Sequence, residues 1–437
     1  MSTGRRALLS LSAFFFLCCY VSLSHAQSFR PKALVVPVKK DPATLQYLIT
    51  LHLKTPLQPE TLTLDLGGAF LWLECGTTYT SSSYQPILCR RSQCSIVTTG
   101  CARCYTLPGP GCAPNRTCGV VPSNPFIAIS GLGGLLEDVL AIRSTDGRAP
   151  GIQVTTRNYL FSCAPSSLTK GLAPPSHGIA GLGNRKISLS AQLATKFSFR
   201  PRFGLCLSGS SKHPGVLFFG QGPYMLRNLD ASKVLTYTPI VVNPFGTAAA
   251  NWEGEPSSEY FIKVKGINIE KKAVELNTTL LEFYWAGRGG TKISTAIPYT
   301  MLEVSIYKAV TAAFVREAAL MNLTRVAGVK PFGVCLSPEG LPFTLTGAIV
   351  PEIELVLDNG ETWPMYGSNT MVEMSNGALC LGVLDAGPSP LSSIDASITI
   401  GGHQIEDNML EFDLGYKRLG FSTSLFRHGN TCGDFKF

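Results

Sequence analysis

The sequence repeats one local pattern in its two halves, and this repeat limits the folds that the chain can adopt. In each half an aromatic residue opens an apolar strand, at Tyr47–Leu51 and at Tyr260–Val264. A second apolar strand then ends in a turn of small residues, at Leu62–Gly68 and at Thr291–Ala296. Such a repeat indicates two similar halves rather than one continuous core. We expect the halves to meet near residues 235–245.

Short apolar strands separated by turn residues recur along the chain, so the sequence predicts a mainly β fold. The helical spacing of apolar residues is limited to Ser188–Lys196 and Leu302–Met321. At 437 residues the chain is long enough for two domains. The predicted strands are Leu45–Leu53, Thr61–Leu73, Val154–Phe161, Gly215–Gly220, Tyr260–Ile269, Glu352–Leu357 and Ala378–Val383.

Residues 1–26 have the features of a secretory signal peptide. Arg5 and Arg6 precede the apolar stretch Ala7–Leu23, and Ser24 and Ala26 are small residues at the −3 and −1 cleavage positions. A membrane anchor is the alternative, but serines interrupt the stretch and a cleavage site follows it directly. The sequence therefore predicts a secreted protein that does not span a membrane.

The positive charge of the chain is mild and is spread thinly. The formal net charge is +8, and it falls to +6 when the two arginines of the signal peptide are removed. No dense basic run and no nucleic-acid-binding module is present, so we expect no nucleic-acid partner. An acidic partner or an acidic polysaccharide matrix is compatible with this charge.

Twelve cysteines remain after Cys18 and Cys19 leave with the signal peptide, and an even number in a secreted chain predicts six disulfides. Seven of them lie between Cys75 and Cys118, in a segment rich in Pro, Gly and Ser that shows no strand pattern. We expect a long excursion held together by covalent bonds. The twelve are Cys75, Cys89, Cys94, Cys101, Cys104, Cys112, Cys118, Cys163, Cys206, Cys335, Cys380 and Cys432.

Three sequons predict N-glycosylation at Asn115, Asn277 and Asn322, and each would mark an exposed surface. The pair Cys101 and Cys104 has a spacing used by zinc and redox sites, but its many cysteine neighbours favour disulfides. The histidines are scattered without metal-ligand spacing, so the sequence predicts no metal and no cofactor.

Two stretches of the first half resemble the pepsin-like aspartic proteases, particularly their cysteine-rich plant branch. Leu62–Gly68 resembles the motif of two hydrophobic residues followed by Asp-Thr-Gly-Ser. His177–Gly183 resembles the Asp-Gly-Ile-Leu-Gly-Leu-Gly segment that supports the first aspartate's loop.

The second half carries the same resemblance, in Thr399–Gln404, Asn408–Leu414 and Arg418–Phe421. Together these stretches extend the likeness from about Tyr47 to Phe421. The resemblance implies a mainly β, bilobal pepsin-like acid-protease fold, with two β-barrel-like lobes and few short helices. We expect the lobes to comprise residues 27–238, with the cysteine-rich insertion, and residues 239–437.

Proteases of this family need two facing carboxylates that share one proton, one as the base and the other as the acid. Asp65 occupies the first position, but the second turn reads Ser294–Ala296, so a hydroxyl replaces the second aspartate. No aspartate occurs between Asp230 and Asp358, so no displaced aspartate can substitute. Asp65 and Ser294 are therefore predicted to be relics of the dyad in a catalytically inactive homologue.

Further departures from the family pattern agree with this prediction. Leu66 and Gly68 stand where the family uses Thr and Ser hydroxyls, and Ala296 stands where glycine normally allows a tight turn. The segment Phe126–Gly134 lacks the tyrosine that the substrate-covering flap usually carries.

This combination resembles the plant family of xyloglucan-specific endoglucanase inhibitors, xylanase inhibitors and basic 7S globulins, which includes extracellular dermal glycoproteins. The likeness rests on the lone Asp65 and on Ser294–Thr300, Phe332–Cys335 and Cys432–Phe437. It implies an inhibitor of secreted microbial endoglucanases or xylanases that acts in plant defence in the apoplast. It also implies that the inhibitory loops belong to the second lobe.

The matching loops are Pro342–Val350 and Leu425–Asn430. Family members bring a basic side chain to the paired carboxylates of the hydrolase, and an arginine or a protonated histidine can bind a carboxylate there. Some relatives have an arginine near Leu345, so an apolar loop here favours a xylanase cleft over a glucanase cleft. An ordinary solvated tail is the alternative for the second loop. The candidate residues are Phe343, Thr344, Leu345, Arg427 and His428.

Two other functions remain open at this stage. A basic globulin-like protein would serve as a storage protein or as a peptide-binding receptor. A residual, atypical aspartic protease would still cleave denatured protein at acidic pH. For the inhibitor we expect a monomer whose partner is a microbial glycoside hydrolase.

Overall fold

The structure, a computed structural model, describes residues 29–76, 79–97, 101–102, 117–246, 255–387 and 396–437. The signal peptide predicted for residues 1–26 lies outside the described residues. Contacts group Lys32–Phe437 into one unit. The lobe boundary predicted between residues 238 and 239 stays a prediction.

Strands dominate the described chain, which confirms the prediction of a mainly β fold with few short helices. In the first half the strands are Ala33–Lys40, Tyr47–Leu53, Gln58–Asp65, Trp72–Glu74, Gln85–Pro86, Cys101–Ala102, Thr117–Val120, Ser123–Asn124, Ile129–Ser130, Gly133–Thr145, Pro150–Ala164, Gly178–Gly181, Arg202–Cys206, Gly215–Gly220, Met225–Leu226 and Leu229–Asp230.

From Thr236 onward the strands are Thr236–Val241, Tyr260–Ile262, Val264–Ile269, Lys272–Ala273, Thr291–Ile293, Thr300–Leu302, Arg325–Val326, Cys335–Leu336, Phe343–Thr344, Gly347–Ala348, Ile353–Leu357, Thr362–Met365, Met371–Glu373, Leu379–Leu381, Val383–Asp385, Ile398–Ile400, Met409–Asp413 and Arg418–Phe421. The seven strand predictions all fall on strands, although Thr61–Leu73, Tyr260–Ile269 and Ala378–Val383 are each interrupted.

Helices are few and short. The α-helices are Leu189–Phe197, Val304–Leu320, Gly367–Thr370 and Gly402–Ile405. The 3-10 helices are Cys94–Ile96, Ser166–Thr169, Ala231–Val234, Thr278–Leu281, Trp285–Gly287, Leu425–His428 and Cys432–Asp434. No helix among the described residues is long and apolar enough to cross a membrane.

The two longest helices confirm the predictions from helical spacing. Ser188 caps the first one, since its hydroxyl accepts a hydrogen bond from the Ala191 amide. In the second, the Glu303 carboxylate accepts hydrogen bonds from the amides of Ser305 and Ile306. The apolar face of this helix is buried at the predicted positions, which are Ile306, Val310, Ala313, Phe314 and Ala318.

Six antiparallel strands join the first half of the chain to the second. Ala33–Lys40 pairs with Gly215–Gly220, which pairs with Arg202–Cys206. The sheet continues from Arg202–Cys206 to Met409–Asp413, then to Arg418–Phe421 and Thr236–Val241. Every strand here is paired on at least one side with a strand distant in sequence, so the sheet forms only when both halves are present.

An aromatic cluster beside this sheet packs the halves against each other. Phe203 stacks on Phe412 with ring centroids 4.7 Å apart, and the Tyr260 ring lies 4.6 Å from Phe412. The Tyr260 hydroxyl also donates a hydrogen bond to the carbonyl of Leu182, at 2.8 Å. All three rings are buried, and burial of such rings is among the largest apolar contributions to folding.

Five disulfides lie in the described residues, and they are Cys75–Cys163, Cys89–Cys101, Cys94–Cys118, Cys206–Cys432 and Cys335–Cys380. The other two of the twelve cysteines, Cys104 and Cys112, lie outside the described residues. The cysteine-rich excursion also contains short strands that the sequence did not predict. Two of them, Gln85–Pro86 and Thr117–Val120, pair with Gly133–Thr145.

We expect loss of the Cys206–Cys432 disulfide to destabilise the protein more than loss of Cys335–Cys380. The first closes a loop with a sequence separation of 226 and the second a loop with a separation of 45. Because the entropy that a cross-link removes from the unfolded chain grows with loop length, the difference is about 1 kcal/mol. Denaturant unfolding of the two double-serine variants measures it, and a larger loss for the Cys335→Ser/Cys380→Ser variant would contradict the expectation.

Candidate functional site

Asp65 is the last residue of the strand Gln58–Asp65. The strand Gly178–Gly181 lies parallel to it and supports it, with Gly181 paired to Asp65. The Asp65 side chain is buried, and its Oδ1 atom accepts a hydrogen bond from the Gly67 amide at 2.9 Å. The carboxyl group thus closes its own turn. This is the support that the resemblance of His177–Gly183 implies.

The Ser294 turn has the same construction. It follows the strand Thr291–Ile293, which lies parallel to Ile398–Ile400, and the Ser294 amide donates to the Ile400 carbonyl at 2.9 Å. The Ser294 Oγ atom accepts a hydrogen bond from the Ala296 amide at 3.1 Å. A serine hydroxyl therefore performs the turn-closing role of the carboxylate, without supplying an acidic group.

Thr295 brings the two turns together. Its hydroxyl donates to the Leu64 carbonyl at 3.1 Å and accepts from the Leu66 amide at 3.0 Å. Leu66 occupies the equivalent position in the Asp65 turn, but it has no hydroxyl that could bind the main chain of the Ser294 turn. Its side chain is fully buried. The structure thus places Asp65 and Ser294, the predicted relics, on adjoining turns. The side-chain hydrogen bonds described between these turns both come from Thr295.

A buried ion pair lies beside Asp65, and the sequence did not predict it. Glu259 Oε1 is 2.7 Å from the Lys292 ammonium, and both side chains are largely buried. A Cβ atom on Gly67 would lie within 3.6 Å of both Glu259 Oε1 and Asp65 Oδ1, so the two carboxylates flank one point. Burial raises the pKa of the Asp65 carboxyl from 3.8 to about 6, and Glu259 adds to this rise. The Gly67 and Gly68 amides and Lys292 oppose it.

These groups do not reproduce a shared-proton dyad. That mechanism needs two carboxylates in direct contact, one ionised and one protonated. The adjoining turn carries Ser294, whose hydroxyl does not ionise near neutral pH. Glu259 forms its ion pair with the Lys292 ammonium, at 2.7 Å.

Close packing behind Asp65 also limits a return to the protease pattern. A Cβ atom on Gly68 would lie 2.9 Å from both Asp65 Oδ2 and the Cα atom of Gly181. A serine at this position, as in the protease motif, would therefore displace either the carboxylate or the supporting strand. The turn around Asp65 is thus packed closely enough to favour glycine at position 68.

The hairpin at the predicted flap position packs onto the body of the protein. Its strands are Ser123–Asn124 and Ile129–Ser130, and the Trp72 indole donates to the Ser123 carbonyl at 3.0 Å. The Asn124 amide group donates to the carbonyls of Leu168 and Lys170, at 2.8 and 2.9 Å. Phe126 and Ile129 contact the apolar cluster around Trp72. These contacts hold the hairpin against the neighbouring strands and loop.

The first predicted inhibitory loop is a β-hairpin with an apolar tip. Phe343–Thr344 pairs with Gly347–Ala348, and Leu345 and Thr346 form the turn. Phe343 is 62% exposed and Leu345 is 75% exposed, so two large apolar side chains project into solvent. The Thr344 hydroxyl donates a hydrogen bond to the Gly347 carbonyl at 3.2 Å and accepts one from the Thr346 amide at 3.3 Å. These two hydrogen bonds stabilise the turn.

The second predicted loop contains the 3-10 helix Leu425–His428, on which Arg427 and His428 are both exposed. Leu425 is buried, and its amide donates to the Asp407 carbonyl at 2.8 Å. The Arg427 guanidinium donates a hydrogen bond to the Tyr366 hydroxyl and lies 5.3 Å from the centre of the Tyr366 ring. Tyr366 is the functional candidate that the sequence did not reveal, since no motif marks it.

A four-residue helix connects the two loops. The Ser368 amide, in Gly367–Thr370, donates to the Thr346 carbonyl of the hairpin at 2.8 Å. A Cβ atom on Gly367 would lie 2.0 Å from the Ala348 carbonyl oxygen, so only glycine allows this close approach. Tyr366 immediately precedes this helix. The structure therefore brings the hairpin tip and Arg427 to the same region, although they are far apart in sequence.

The glycosylation predictions fall on surface positions where the structure describes them. Asn277 and Asn322 are exposed, and Asn115 lies outside the described residues. Glycosylation of all three stays a prediction. Among the described residues, no group of three or more His, Cys, Asp or Glu side chains could hold a metal ion.

Comparison with known proteins covers most of the chain. The model of the xylanase inhibitor N-terminal family matches residues 47–221, and that of the xylanase inhibitor C-terminal family matches residues 259–423. A relative named "Probable aspartic proteinase GIP2" from Nicotiana benthamiana is 48% identical, over 94% of this chain and 93% of the relative.

Solved structures of similar proteins confirm the pepsin-like fold. The crystal structure of edgp matches with a TM-score of 0.90 and 50% identity, covering 94% of this chain and 99% of that chain. The crystal structure of basic 7S globulin from soybean matches with a TM-score of 0.79 and 36% identity, covering 93% of this chain and 99% of that chain.

We expect Asp65 to make the protein more stable at pH 5 than at pH 7. Its folded pKa of about 6 lies above the reference value of 3.8, so the folded state binds a proton in this range that the unfolded state does not. The gain between pH 7 and pH 5 is about 1 kcal/mol and is lost again as the pH rises through 6. Asp65→Asn should remove this part of the pH dependence.

Unfolding free energies at the two pH values, measured with the disulfides intact, test this expectation. Asp146→Asn is the matched control, because Asp146 is exposed and backbone hydrogen bonds from Arg148 lower its pKa, so it stays ionised over this range. An Asp65→Asn variant with the wild-type pH dependence would refute the assignment.

Proposed function

The chain belongs to the xylanase-inhibitor family, and from this premise we propose that it is a secreted, non-proteolytic inhibitor of microbial cell-wall glycoside hydrolases. The observation that carries the proposal is the surface formed by the hairpin tip and Arg427. It combines exposed apolar side chains with a cation held in a defined position. The partner class is the endoglucanases or xylanases that cleave wall polysaccharides outside the plant cell.

The chemistry of Arg427 suits such a target. Retaining glycosidases keep two carboxyl groups about 5–5.5 Å apart at the floor of the substrate cleft. A guanidinium can bind a carboxylate through two parallel N–H donors, and this pairing strengthens where water is excluded. Arg427 would thus block the catalytic carboxylates directly. His428, its exposed neighbour, supplies a second cation when it is protonated.

The hairpin tip supplies the apolar part of the contact. Phe343 and Leu345 expose most of their side chains, which costs free energy in a monomer unless a partner covers them. Leu345 stands where an arginine would favour a glucanase cleft, so an apolar cleft wall is the better fit. This favours a xylanase over a xyloglucan-degrading endoglucanase as the target.

The proposed location is the apoplast. Disulfides form and persist in oxidising compartments such as the extracellular space, and the five described ones include three in the first half alone. The signal peptide predicted from the sequence supports the same route. In that space the protein would meet hydrolases secreted by invading microbes.

We expect the purified protein to inhibit at least one secreted microbial xylanase or xyloglucan-degrading endoglucanase when it is titrated into an initial-rate assay. Replacing Arg427 and His428 with alanine should raise the inhibition constant 10-fold or more, equivalent to about 1.4 kcal/mol. Leu345→Ala should also raise it, because it removes an exposed apolar anchor.

Leu320→Ala is the control for the hairpin variant, since Leu320 is 68% exposed at the end of the helix Val304–Leu320, outside both candidate loops. Its inhibition constant should equal that of the wild type. Full activity of enzymes from both classes at saturating protein would eliminate the inhibitor proposal and leave the globulin-like role as the alternative. An unchanged constant in the Arg427/His428 variant would exclude these residues from the contact.

We further expect no aspartic-protease activity. Denatured protein incubated with the chain at pH 3–5 should stay intact, because the mechanism requires the second carboxylate that Ser294 replaces. The Asp65→Asn variant should be indistinguishable from the wild type in this assay. Cleavage that a statine-type inhibitor blocks and that Asp65→Asn abolishes would show a working protease instead.

A further inference from the structure

Arg427 has an exposed side chain on a fixed backbone. Its amide donates to the Ser424 carbonyl at 3.1 Å, and the Asn430 amide donates to the Leu425 carbonyl at 3.1 Å. Two residues beyond Asn430, the Cys206–Cys432 disulfide ties the tail to the central sheet. The freedom that remains at this position is therefore that of the long arginine side chain itself.

Tyr366 restricts this remaining freedom. Its hydroxyl oxygen accepts a hydrogen bond from Nη1 of Arg427, and its ring lies 5.3 Å from the guanidinium carbon. Tyr366 is itself well anchored, because its carbonyl accepts the amides of Asn369 and Thr370, at 2.8 and 2.9 Å. The phenol joins the guanidinium to the helix that also supports the hairpin.

The geometry of this contact leaves a defined part of Arg427 available. A guanidinium carries five N–H donors, and the Nε and Nη2 edge can bind a carboxylate with two parallel hydrogen bonds. Tyr366 uses Nη1, and within the described residues no other hydrogen bond or ion pair of the Arg427 side chain is found. The side chain is thus oriented with its bidentate edge unoccupied.

The acidic groups around Tyr366 favour the neutral phenol. Burial raises the pKa of Tyr366, the nearby Glu352 and Glu354 carboxylates raise it further, and Arg427 lowers it. The hydroxyl therefore keeps its proton, and its oxygen holds the guanidinium without neutralising the positive charge.

From these contacts we infer that Tyr366 is a positioning residue, which presents the Nε–Nη2 edge of Arg427, together with the hairpin tip, to a carboxylate of the partner. The inference rests on the proposed function and adds a residue to the same surface. Fixing a flexible arginine before binding reduces the conformational entropy lost on association. A phenol–guanidinium hydrogen bond thereby increases affinity without touching the partner.

The first measurement needs no target enzyme. In the free protein, the Nε–H group of Arg427 should give an NMR order parameter typical of a restrained side chain, assigned by its absence in Arg427→Lys. In Tyr366→Phe, which keeps the ring and loses the hydroxyl, this order parameter should fall. An equal order parameter in the two proteins would overturn the inference whatever the protein inhibits.

The second measurement uses an enzyme that the wild type inhibits. Tyr366→Phe should raise the inhibition constant about five-fold, the effect of one lost hydrogen bond. In an Arg427→Ala background the same substitution should change the constant less than two-fold, because there is no guanidinium to position. An equal effect in both backgrounds would show that Tyr366 acts on the fold or contacts the partner itself, and would overturn the inference.

Tyr416→Phe is the matched control. Tyr416 is 61% exposed, and its hydroxyl accepts a hydrogen bond from Arg200 at 3.3 Å, so it forms a similar pair elsewhere on the surface. Its removal should leave the inhibition constant unchanged. If the wild type inhibits neither enzyme class, the proposed function fails, while the order parameters still decide whether Tyr366 restrains Arg427.

Discussion

The hydrogen bonds of Thr295 hold the two turns at the centre of the molecule together. Its buried hydroxyl binds the main chain on both sides of Asp65, at Leu64 and Leu66. Losing that hydroxyl would leave a buried carbonyl and a buried amide unpaired, which costs about 1–3 kcal/mol per group. This contact does not involve the carboxyl groups or their protonation. The contact can therefore form with a serine at position 294.

Around this contact the region of Asp65 is closely packed. Gly68 leaves no space for a further side chain against Asp65, and Glu259 and Lys292 form an ion pair beside it. Asp65 keeps a raised pKa because it is buried, and a raised pKa alone does not make a catalyst. The chemistry of cleavage needs a second acidic group in contact with the first, and Ser294 is not acidic.

The sequence predicted those parts of the structure that depend on neighbouring residues. Asp65 and Ser294 each lie in a turn whose small residues follow directly in the chain, so their local pattern was sufficient. Glu259 and Lys292 meet because the strand Tyr260–Ile262 pairs with Thr291–Ile293, and no local pattern specifies that pairing. The sequence did not identify Tyr366 for the same reason. Its partner Arg427 lies 61 residues away and contacts it only in the folded chain. The strand breaks within Thr61–Leu73 and Tyr260–Ile269 likewise depend on pairing partners.

The choice of a tyrosine to hold Arg427 bears on how such a surface can act. A carboxylate would orient the guanidinium more strongly, but it would also neutralise the charge that a partner's carboxylate must meet. A neutral phenol orients the cation and leaves its charge in place. Glu352 and Glu354, which lie near enough to raise the pKa of Tyr366, help to keep that phenol protonated. A hydrogen bond to a neutral group is therefore the arrangement that both restrains Arg427 and preserves its attraction for an anionic site.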